Sequence, residues 1–375
     1  MSSHDTARAR SGLPGNSEEP RVEIHLLACG HGDTILLRLP VDRWILVDCH
    51  LRDRRTRERF FEFVRSRGIE RLDFIFQTHP DFDHFCGMTH VLDHFTTEGR
   101  SLRYWCDGGL GAEQVRDLLW QEELSEREYA KLQRRLDELS QHNSIEIVAV
   151  NDWTTPISPS GYSDSVHLFV VAPPATVARN ITRRDIGKLG TDAKAKLESN
   201  ALSLVMVLSA SAGDVDCTML LSADGSEDEM LWALQTWHRR AEEYHRAKSF
   251  DVIKVPHHGS MKSHTPALCQ AKRKERTARI AAISAGTRRA LPDKEVIRAY
   301  LNEEWVVLLT TTRTANRGAN YLMEIADRSG VAAYDIRQQD ISISWSPSQG
   351  LQWEPPDARV NPSALGLYET TAVER

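Results

Sequence analysis

Apolar positions along this chain recur with two periods, and each period predicts one kind of element. Short apolar or alternating runs are typical of strands, and apolar residues three and four positions apart are typical of amphipathic helices. Strands are predicted at residues 21–27, 34–40, 44–47, 72–77, 102–106, 145–150, 165–171, 204–208, 218–223, 252–256, 280–284, 306–309 and 318–325. Helices are predicted at residues 52–67, 112–141, 227–247 and 294–301, and directly after residue 87.

The order of these elements predicts one elaborated domain at residues 21–346. Its first three strands are joined by short turns, which is typical of an antiparallel meander. No linker rich in proline, glycine or serine divides the middle of the chain. The polar residues 1–20 are predicted to be disordered, and the polar residues 347–375 are predicted to form a C-terminal tail. The highly charged residues 112–141 are predicted to be a pair of inserted helices.

Composition narrows the class of protein. The chain has 375 residues, of which 41% are hydrophobic and 27% are charged, as in ordinary soluble domains. A net charge of −6 means that bulk electrostatics does not draw the chain to nucleic acid, although a local basic patch still can. The six cysteines form no CxxC pair, and no apolar run is long enough for a membrane span or a signal core. We therefore expect a cytoplasmic protein without a membrane partner.

The densest group of side chains that can bind a metal follows the predicted strand at 72–77. The stretch reads Thr78-His79-Pro80-Asp81-Phe82-Asp83-His84. We expect a loop at the C-terminal end of the strand to turn four of these side chains toward one point, namely His79, Asp81, Asp83 and His84. Imidazole and carboxylate ligands of this kind suit Zn²⁺ and also admit Mn²⁺. The alternative is a polar surface turn, which Pro80 would equally suit.

Metal-binding residue types also follow other predicted strands. Asp224 directly follows one strand, and His257 and His258 directly follow another. Alone, Asp224 is explained more simply as a turn residue, and the histidine pair as core or surface residues. Together with the stretch at 79–84, they indicate a site that loops build at one edge of a sheet. Asp48 follows a further apolar strand and is either a capping residue or a group that supports this site.

These motifs occur in the order of a known family. The stretches that carry the similarity are Cys29-Gly30-His31-Gly32-Asp33, Ile45-Leu46-Val47-Asp48, His79-Pro80-Asp81-Phe82-Asp83-His84, Asn200-Ala201-Leu202-Ser203-Leu204-Val205, Leu220-Leu221-Ser222-Ala223-Asp224 and Lys254-Val255-Pro256-His257-His258-Gly259-Ser260. On these stretches, which span about residues 22–325, the chain resembles the metallo-β-lactamase superfamily. Within it, the chain resembles the metallo-β-lactamase-like domain of ComEC-type competence DNA-uptake proteins.

The resemblance implies an αββα sandwich of two mixed sheets flanked by helices, with residues 112–141 as a helical insertion. It also implies one or two divalent metal ions, Zn²⁺ or Mn²⁺, between the sheet edges. One ion is implied at His79, Asp81 and Asp224. The other is implied at Asp83, His84, Asp224 and one of the two neighbouring histidines, with His257 favoured over His258 because it directly follows the strand.

The chain also departs from the family pattern. Asp81 stands where most of the superfamily has a second histidine, and Asn200 stands where the wider superfamily has a third, so Asn200 is at best a weak metal ligand. Ala290 and Leu291 replace a histidine that the uptake family usually carries nearby. The chain has no membrane channel and therefore is not itself a DNA importer.

The leading hypothesis is a metal-dependent hydrolase of phosphodiesters, with a nuclease as its most specific form. A divalent metal lowers the pKa of bound water from about 16 to roughly 7, which makes hydroxide available at neutral pH. Asp224 is expected to bridge two ions, and Asp83 to bind metal and orient the attacking water. Lys254 is predicted to contact a phosphate, and His258 to act as a general acid or to support the ligands.

Two other hypotheses stay open. The site would also suit hydrolysis of a small ester, a thioester or a cyclic nucleotide. A weakened site would instead suit a protein that binds a partner through the insertion at 112–141. Basic residues at 179–196, 239–240, 272–274 and 288–289 give mild support to a nucleic-acid substrate. Taken singly, each of these segments is explained better as a solvated helix face or loop.

Overall fold

The computed structural model describes residues 19–96, 101–107, 123–159, 161–162, 164–176, 203–274, 279–285, 291–310, 340–354 and 359–360. Within these ranges the chain forms two sheets that face each other, with helices against the outer side of each sheet. Asn200, which was predicted as a weak ligand, lies outside the described residues, as do the predicted strand at 318–325 and most of residues 1–20.

The first sheet has eight described strands in the order β14-β13-β1-β2-β3-β4-β5-β6. Its strands are antiparallel from β14 to β3 and parallel from β3 to β6. They are β1 (Val22–Leu26), β2 (Ile35–Leu39), β3 (Arg43–Val47), β4 (Arg71–Phe76), β5 (Ser101–Asp107), β6 (Glu146–Ala149), β13 (Ile341–Ser346) and β14 (Gly350–Glu354).

The second sheet has seven described strands in the order β15-β12-β11-β10-β9-β8-β7. It is parallel from β9 to β12 and antiparallel at both ends. Its strands are β7 (Val166–Ala172), β8 (Val205–Ala212), β9 (Val215–Leu221), β10 (Val252–Lys254), β11 (Ile280–Ile283), β12 (Val306–Leu309) and β15 (Arg359–Val360).

Helices cover both outer faces. The described helices are α1 (Arg54–Ser66), α2 (Phe82–Phe85), α3 (Met88–Phe95), α4 (Glu123–Gln141), α5 (Glu227–Glu243), α6 (Pro266–Gln270) and α7 (Lys294–Asn302). Helices α1, α3 and α4 pack on the first sheet, and α5, α6 and α7 pack on the second. None of the helices in the described ranges is long and apolar enough to cross a membrane.

Alternation along the strands explains the layers. In β1, Ile24 and Leu26 point into the core between the sheets, while Glu23 and His25 point to the helical side. In β8, Met206 faces the core between the sheets and Val207 faces the helices. Because successive side chains point to opposite faces of a sheet, strands covered on both sides become almost continuously apolar. The predicted αββα sandwich of two mixed sheets is confirmed.

One local prediction needs correction, and the predictions for the insertion at 112–141 stay predictions. The segment from residue 347 is not only a polar tail, because it supplies β14 to the first sheet and β15 to the second. The inserted helix α4 does not offer an open apolar surface, because Leu132, Leu136 and Leu139 are buried against the first sheet and its helices. Residues 108–122 lie outside the described residues, so the predicted second helix of the insertion stays a prediction.

Candidate metal centre

The predicted site residues meet where strands of both sheets end. Asp48 follows β3 and His79 follows β4, in the first sheet. Asp224 follows β9 and His258 follows β10, in the second. The two strands of each pair are parallel neighbours, so their C-terminal ends lie at the same edge. Such edges are where open α/β sheets bind ligands.

Hydrogen bonds around Asp48 orient the two histidines of the first sheet. Its Oδ2 accepts a hydrogen bond from Nδ1 of His84 at 2.7 Å and another from the hydroxyl of Thr78 at 2.6 Å. Because that hydroxyl proton is directed to Asp48, the Thr78 oxygen accepts from Nδ1 of His79 at 3.0 Å. In both histidines the Nδ1 proton is therefore engaged, and Nε2 is the atom directed into the site.

His258 is oriented in the same way from the second sheet. Its Nδ1 donates to the backbone carbonyl of Ser284 at 3.1 Å, which leaves Nε2 as the inward atom. This Nε2 lies 3.5 Å from Oδ2 of Asp224 and 3.8 Å from Oδ2 of Asp83. The Nε2 of His84 approaches the same Oδ2 of Asp224 to 3.4 Å. Asp224 is thus the common neighbour of imidazoles from both sheets.

The backbone around the site is strained. Asp48, Ala223, His257 and His258 all have positive φ angles, of 57°, 45°, 46° and 53°. A left-handed backbone costs a residue with a side chain roughly 1 to 2 kcal/mol, and such residues cluster at functional sites. Because His257 and His258 both have a left-handed backbone, the two adjacent side chains leave the end of β10 in different directions.

Lys254 lies beneath the site. Its ammonium group is ion-paired with Asp33, lies 3.7 Å from Oδ1 of Asp224 and donates to the carbonyl of Ala223 at 3.1 Å. The side chain is only 1% exposed, and that of Asp33 is equally buried. A buried ion pair of this kind holds Asp224 from below, and it leaves the opposite oxygen of Asp224 facing the histidines.

The site combines acidic side chains with imidazoles. Burial opposes ionisation of Asp224, yet His258 and His84 hold its pKa well below the ordinary value. Burial also opposes charge on His84, but Asp224 and Asp48 more than offset it and raise the pKa of His84 well above the ordinary value. The pKa of His79 is lowered by burial and by His84. The carboxylates thus favour a positive charge at the centre of the cluster, whether a proton or a metal ion supplies it.

The donor atoms fit a divalent metal. Within the described residues, Nε2 of His79, His84 and His258 is buried and makes no hydrogen bond. The distances of 3.4 to 3.8 Å from His84 and His258 to carboxylate oxygens are longer than an ordinary N–H···O bond. They are close to the separation of about 3.4 Å between two ligands of one tetrahedral ion with bonds of roughly 2.1 Å. Buried imidazole nitrogens among carboxylates at this spacing are what a divalent metal site requires.

Two overlapping donor sets share this centre. One contains His79, His84 and Asp224, and the other contains Asp83 and His258, whose Nε2 also faces Asp224. The structure brings His79, Asp83, His84 and Asp224 into one region, but His84 groups with His79 rather than with Asp83 as the resemblance implied, and their roles as ligands stay predictions. Asp83 and His84 lie on the short helix α2 rather than on an open loop.

The histidine pair needs a correction. His257 was favoured as the ligand, with His258 as a supporting group or general acid. In the structure, His258 is the buried inner residue. His257 is 24% exposed, and its Nε2 lies 3.8 Å from Oδ2 of Asp224. The sequence could not separate the two, because the reversal comes from the left-handed backbone of both residues.

Two further site predictions have different outcomes. Asp81 lies at the mouth of the site, 39% exposed, with Oδ2 at 3.8 Å from Nε2 of His79. It belongs to neither compact donor set, so its role as a ligand stays a prediction. Lys254 was predicted to contact a phosphate, but its ammonium group is buried and engaged with Asp33 and Asp224. A direct contact with substrate is therefore not supported.

Two residues of the site were not selected from the sequence. His31 and Asp33 come from the glycine turn between β1 and β2, and both approach His258. The stretch that contains them was selected only as one of those that carry the family resemblance. A histidine and an aspartate flanking Gly32 were a usable signal, but nothing in the sequence shows that this turn lies against the end of β10.

Comparisons with known proteins agree with the fold. Residues 27–128 match the family model described as the metallo-beta-lactamase superfamily. This match covers part of the chain, and the two mixed sheets with flanking helices are consistent with the metallo-β-lactamase fold. No curated protein sequence matches the chain.

Solved structures with low sequence identity are also similar. A diphosphatase from the PhnP family is 15% identical, with a TM-score of 0.24, over 40% of this chain and 56% of its own. The chain thus spans just over half of that protein's length. The metallo-beta-lactamase fold protein YhfI from Bacillus subtilis is 12% identical, with a TM-score of 0.32, over 62% of this chain and 70% of its own. A subclass B3 metallo-beta-lactamase from a soil metagenome library, MEM-A1, is 11% identical, with a TM-score of 0.33, over 69% and 85%.

Proposed function

We propose that this chain, which has the metallo-β-lactamase fold, is a metal-dependent hydrolase that acts on phosphodiesters, with nucleic acid as its substrate. The observation that carries the proposal is the convergence of buried Nε2 atoms and carboxylate oxygens from both sheets around Asp224. A purely structural polar cluster would pair these atoms by hydrogen bonds, but Nε2 of His79, His84 and His258 lacks one within the described residues.

The metal would be held by His79, His84 and Asp224 on one side and by Asp83 and His258 on the other. A divalent ion, Zn²⁺ or Mn²⁺, supplies Lewis acidity and activates water at neutral pH. Asp48 and Ser284 keep the Nε2 atoms of their histidines turned inward. Lys254 and Asp33 fix Asp224 from below.

The mouth of the site carries the groups that substrate would meet. Asp81 and His257 are the partly exposed members of the cluster, with 39% and 24% of their side chains accessible. Burial lowers the pKa of His257, which favours its neutral form near pH 7. A neutral imidazole can accept a proton, so we assign to Nε2 of His257 a proton-accepting role at the mouth of the site, in place of the general-acid role first given to His258.

The nucleic-acid part of the proposal is supported by the resemblance to ComEC-type proteins. The basic residues give less support to nucleic-acid binding than the sequence suggested. Lys272 is ion-paired with Glu303 at 3.0 Å, Arg273 with Asp216, and Arg240 donates to the carbonyl of Asp152 at 2.9 Å. These side chains are engaged within the fold, and the basic segments at 179–196 and 288–289 lie mostly outside the described residues.

This pairing gives weight to a second candidate function. A site without a broad basic surface would suit a small anionic substrate, such as a cyclic nucleotide, or a small ester or thioester. Salt dependence separates the two, because binding to a nucleic-acid backbone weakens steeply as salt rises and binding to a small ester does not. Partner binding through residues 112–141 also stays a proposal, limited by the burial of the apolar face of α4.

The deciding experiment combines metal content with a panel of substrates. Purified protein would be analysed for bound metal and then assayed on plasmid DNA, single-stranded DNA, RNA, a chromogenic phosphodiester, cyclic nucleotides and a thioester. Asp224→Asn is expected to abolish both metal binding and activity. The matched control is His90→Ala, which removes an exposed histidine on α3 and should leave both unchanged.

Absence of bound metal after reconstitution with Zn²⁺ and Mn²⁺ would contradict the hydrolase proposal. Metal binding with activity only on the thioester or the cyclic nucleotide would replace the nuclease assignment by the second candidate.

A further inference from the structure

A side chain outside the expected ligand set reaches the centre from the turn between β1 and β2. We propose that His31 is a metal ligand, which completes the donor set of Asp83 and His258 on the side of the site away from His79. This inference rests on metal binding in the proposed function, but not on the nature of the reaction.

The turn that carries His31 is held against the metal-binding segment. The backbone N–H of Asp33 donates to the carbonyl of Asp83 at 3.2 Å, and the N–H of Gly32 donates to Nδ1 of His50 at 3.1 Å. A Cβ at Gly32 would lie 2.0 Å from the Asp83 carbonyl oxygen, so the approach is possible only with glycine. His31 is therefore placed beside Asp83 by the backbone.

The donor atoms of His31 have the spacing of a metal site. A ring nitrogen of His31, an oxygen of Asp83 and a ring nitrogen of His258 all lie within 4.8 Å of one another. The rings of His31 and His258 are 4.4 Å apart and inclined at 43°, so they do not stack face to face. Two inclined imidazoles that share a carboxylate neighbour are typical of ligands converging on one ion.

His258 also links this set to Asp224. Its Nε2 is 3.8 Å from Oδ2 of Asp83 and 3.5 Å from Oδ2 of Asp224. With His31 the compact set contains two imidazoles and the carboxylate of Asp83. Three protein donors are what an open tetrahedral Zn²⁺ site uses, and added nitrogen favours Zn²⁺ over Mn²⁺. Without His31, only His258 and Asp83 would remain in this set.

The first test replaces the donor and measures metal binding directly. We would compare wild type, His31→Gln, His258→Gln as a ligand control and His90→Gln as an exposed control in a Zn²⁺ competition assay with a chromophoric chelator. Loss of a direct ligand should weaken binding by more than the roughly 10- to 100-fold expected for a group that only orients a ligand. Thermal unfolding of the metal-free variants would report any misfolding.

The second test gives a spectroscopic signature that a structural role cannot produce. In His31→Cys loaded with Co²⁺, a thiolate bound to the metal produces an intense near-ultraviolet charge-transfer band. Wild type serves as the blank, because its six cysteines are all buried and none belongs to a donor set among the described residues. We expect this band in His31→Cys and its absence in wild type and in His90→Cys.

The outcomes separate the two proposals. If wild type binds metal but His31→Gln binds it within about threefold of wild type and His31→Cys shows no band, His31 is not a ligand and the hydrolase proposal is untouched. If wild type itself binds none of Zn²⁺, Co²⁺ and Mn²⁺, both the ligand assignment and the proposed function are overturned.

Discussion

Asp48 and His84 are joined by a hydrogen bond of 2.7 Å between Oδ2 and Nδ1, and both side chains are buried. The contact fixes which nitrogen of His84 faces Asp224. Asp48 also accepts hydrogen bonds from the N–H and the hydroxyl of Thr78 at 2.7 and 2.6 Å. One carboxylate thus organises both histidines of the first sheet, because Thr78 in turn contacts His79.

Replacing Asp48 by asparagine should weaken metal binding without breaking the fold. Asparagine tolerates the left-handed backbone at this position, where φ is 57°. The side-chain NH₂ group of asparagine would face a group that now donates a hydrogen bond to Asp48. The orientation of His84 is then no longer enforced. We expect Zn²⁺ affinity to fall by about 10- to 100-fold, as for other groups that orient metal-binding histidines.

Asp42→Asn is the matched control for this prediction. The backbone of Asp42 is also left-handed, with φ of 51°, but its side chain is 74% exposed and is not part of the site. Competition titration with a chelator measures both variants. Equal affinities for the two would show that Asp48 does not orient the ligands.

The ion pair between Lys254 and Asp33 makes a prediction about stability. Lys254→Met should lower the free energy of unfolding by about 3 to 5 kcal/mol, because it leaves a buried carboxylate without its partner. The double variant Asp33→Asn with Lys254→Met should be less destabilised than the sum of the single variants. Urea unfolding with a chelator in every sample measures this, so that metal binding does not contribute. Additive losses would mean that the two charges act independently.

The lowered pKa of Glu23 predicts that the folded state loses stability in acid. Burial opposes its charge, but contacts with His25 and Arg38 hold its pKa at about 2, compared with 4.5 for an ordinary glutamate. Since the pKa is lower in the folded state, the stabilisation is complete above pH 4.5 and is lost as the pH falls toward about 2. The shift corresponds to about 3 kcal/mol at most. Arg21 also faces the carboxylate, at 3.1 Å.

Glu23→Gln should therefore be less stable than wild type at neutral pH, and the two should converge as the pH is lowered below 4.5. Urea midpoints measured from neutral to acidic pH test this. Glu62→Gln removes an exposed carboxylate from α1 and should follow wild type throughout. A constant difference between Glu23→Gln and wild type at every pH would contradict the assignment.

Gly32→Ala should disrupt the centre by steric overlap. The added Cβ would meet the carbonyl oxygen of Asp83 at 2.0 Å and Cγ of His50 at 2.5 Å. Overpacking of this kind costs about 1 to 3 kcal/mol, and occasionally more. The strain can be relieved only by moving the turn away from α2, so Zn²⁺ affinity should fall together with stability.

Gly213→Ala is the control for Gly32→Ala, because it adds backbone strain without steric overlap. Its φ is +59° and no atom lies within 4 Å of the added Cβ, so it should cost roughly 1 kcal/mol of backbone strain and leave metal binding unchanged. Thermal unfolding and metal titration of both variants provide the comparison. If Gly32→Ala behaves like Gly213→Ala, the close approach is not required.

The sequence by itself predicted most of the strands, and the resemblance of its motifs to a known family predicted the sandwich and the candidate ligands. Apolar runs marked the strands because a strand covered on both faces must be apolar, and metal-binding residues at strand ends marked the edge where the site lies. His79, Asp83, His84 and Asp224 were found this way.

The tertiary structure decided which further side chains face the centre. The order of His257 and His258 depends on two consecutive left-handed residues, a backbone choice that local sequence does not reveal. Lys254 could be read as exposed until the ion pair with Asp33 showed it buried. His31 and Asp33 come near His258 only because the turn after β1 packs on α2 and against the end of β10. Contacts between segments more than 200 residues apart arise from packing of the two sheets, and no periodicity within one segment records them.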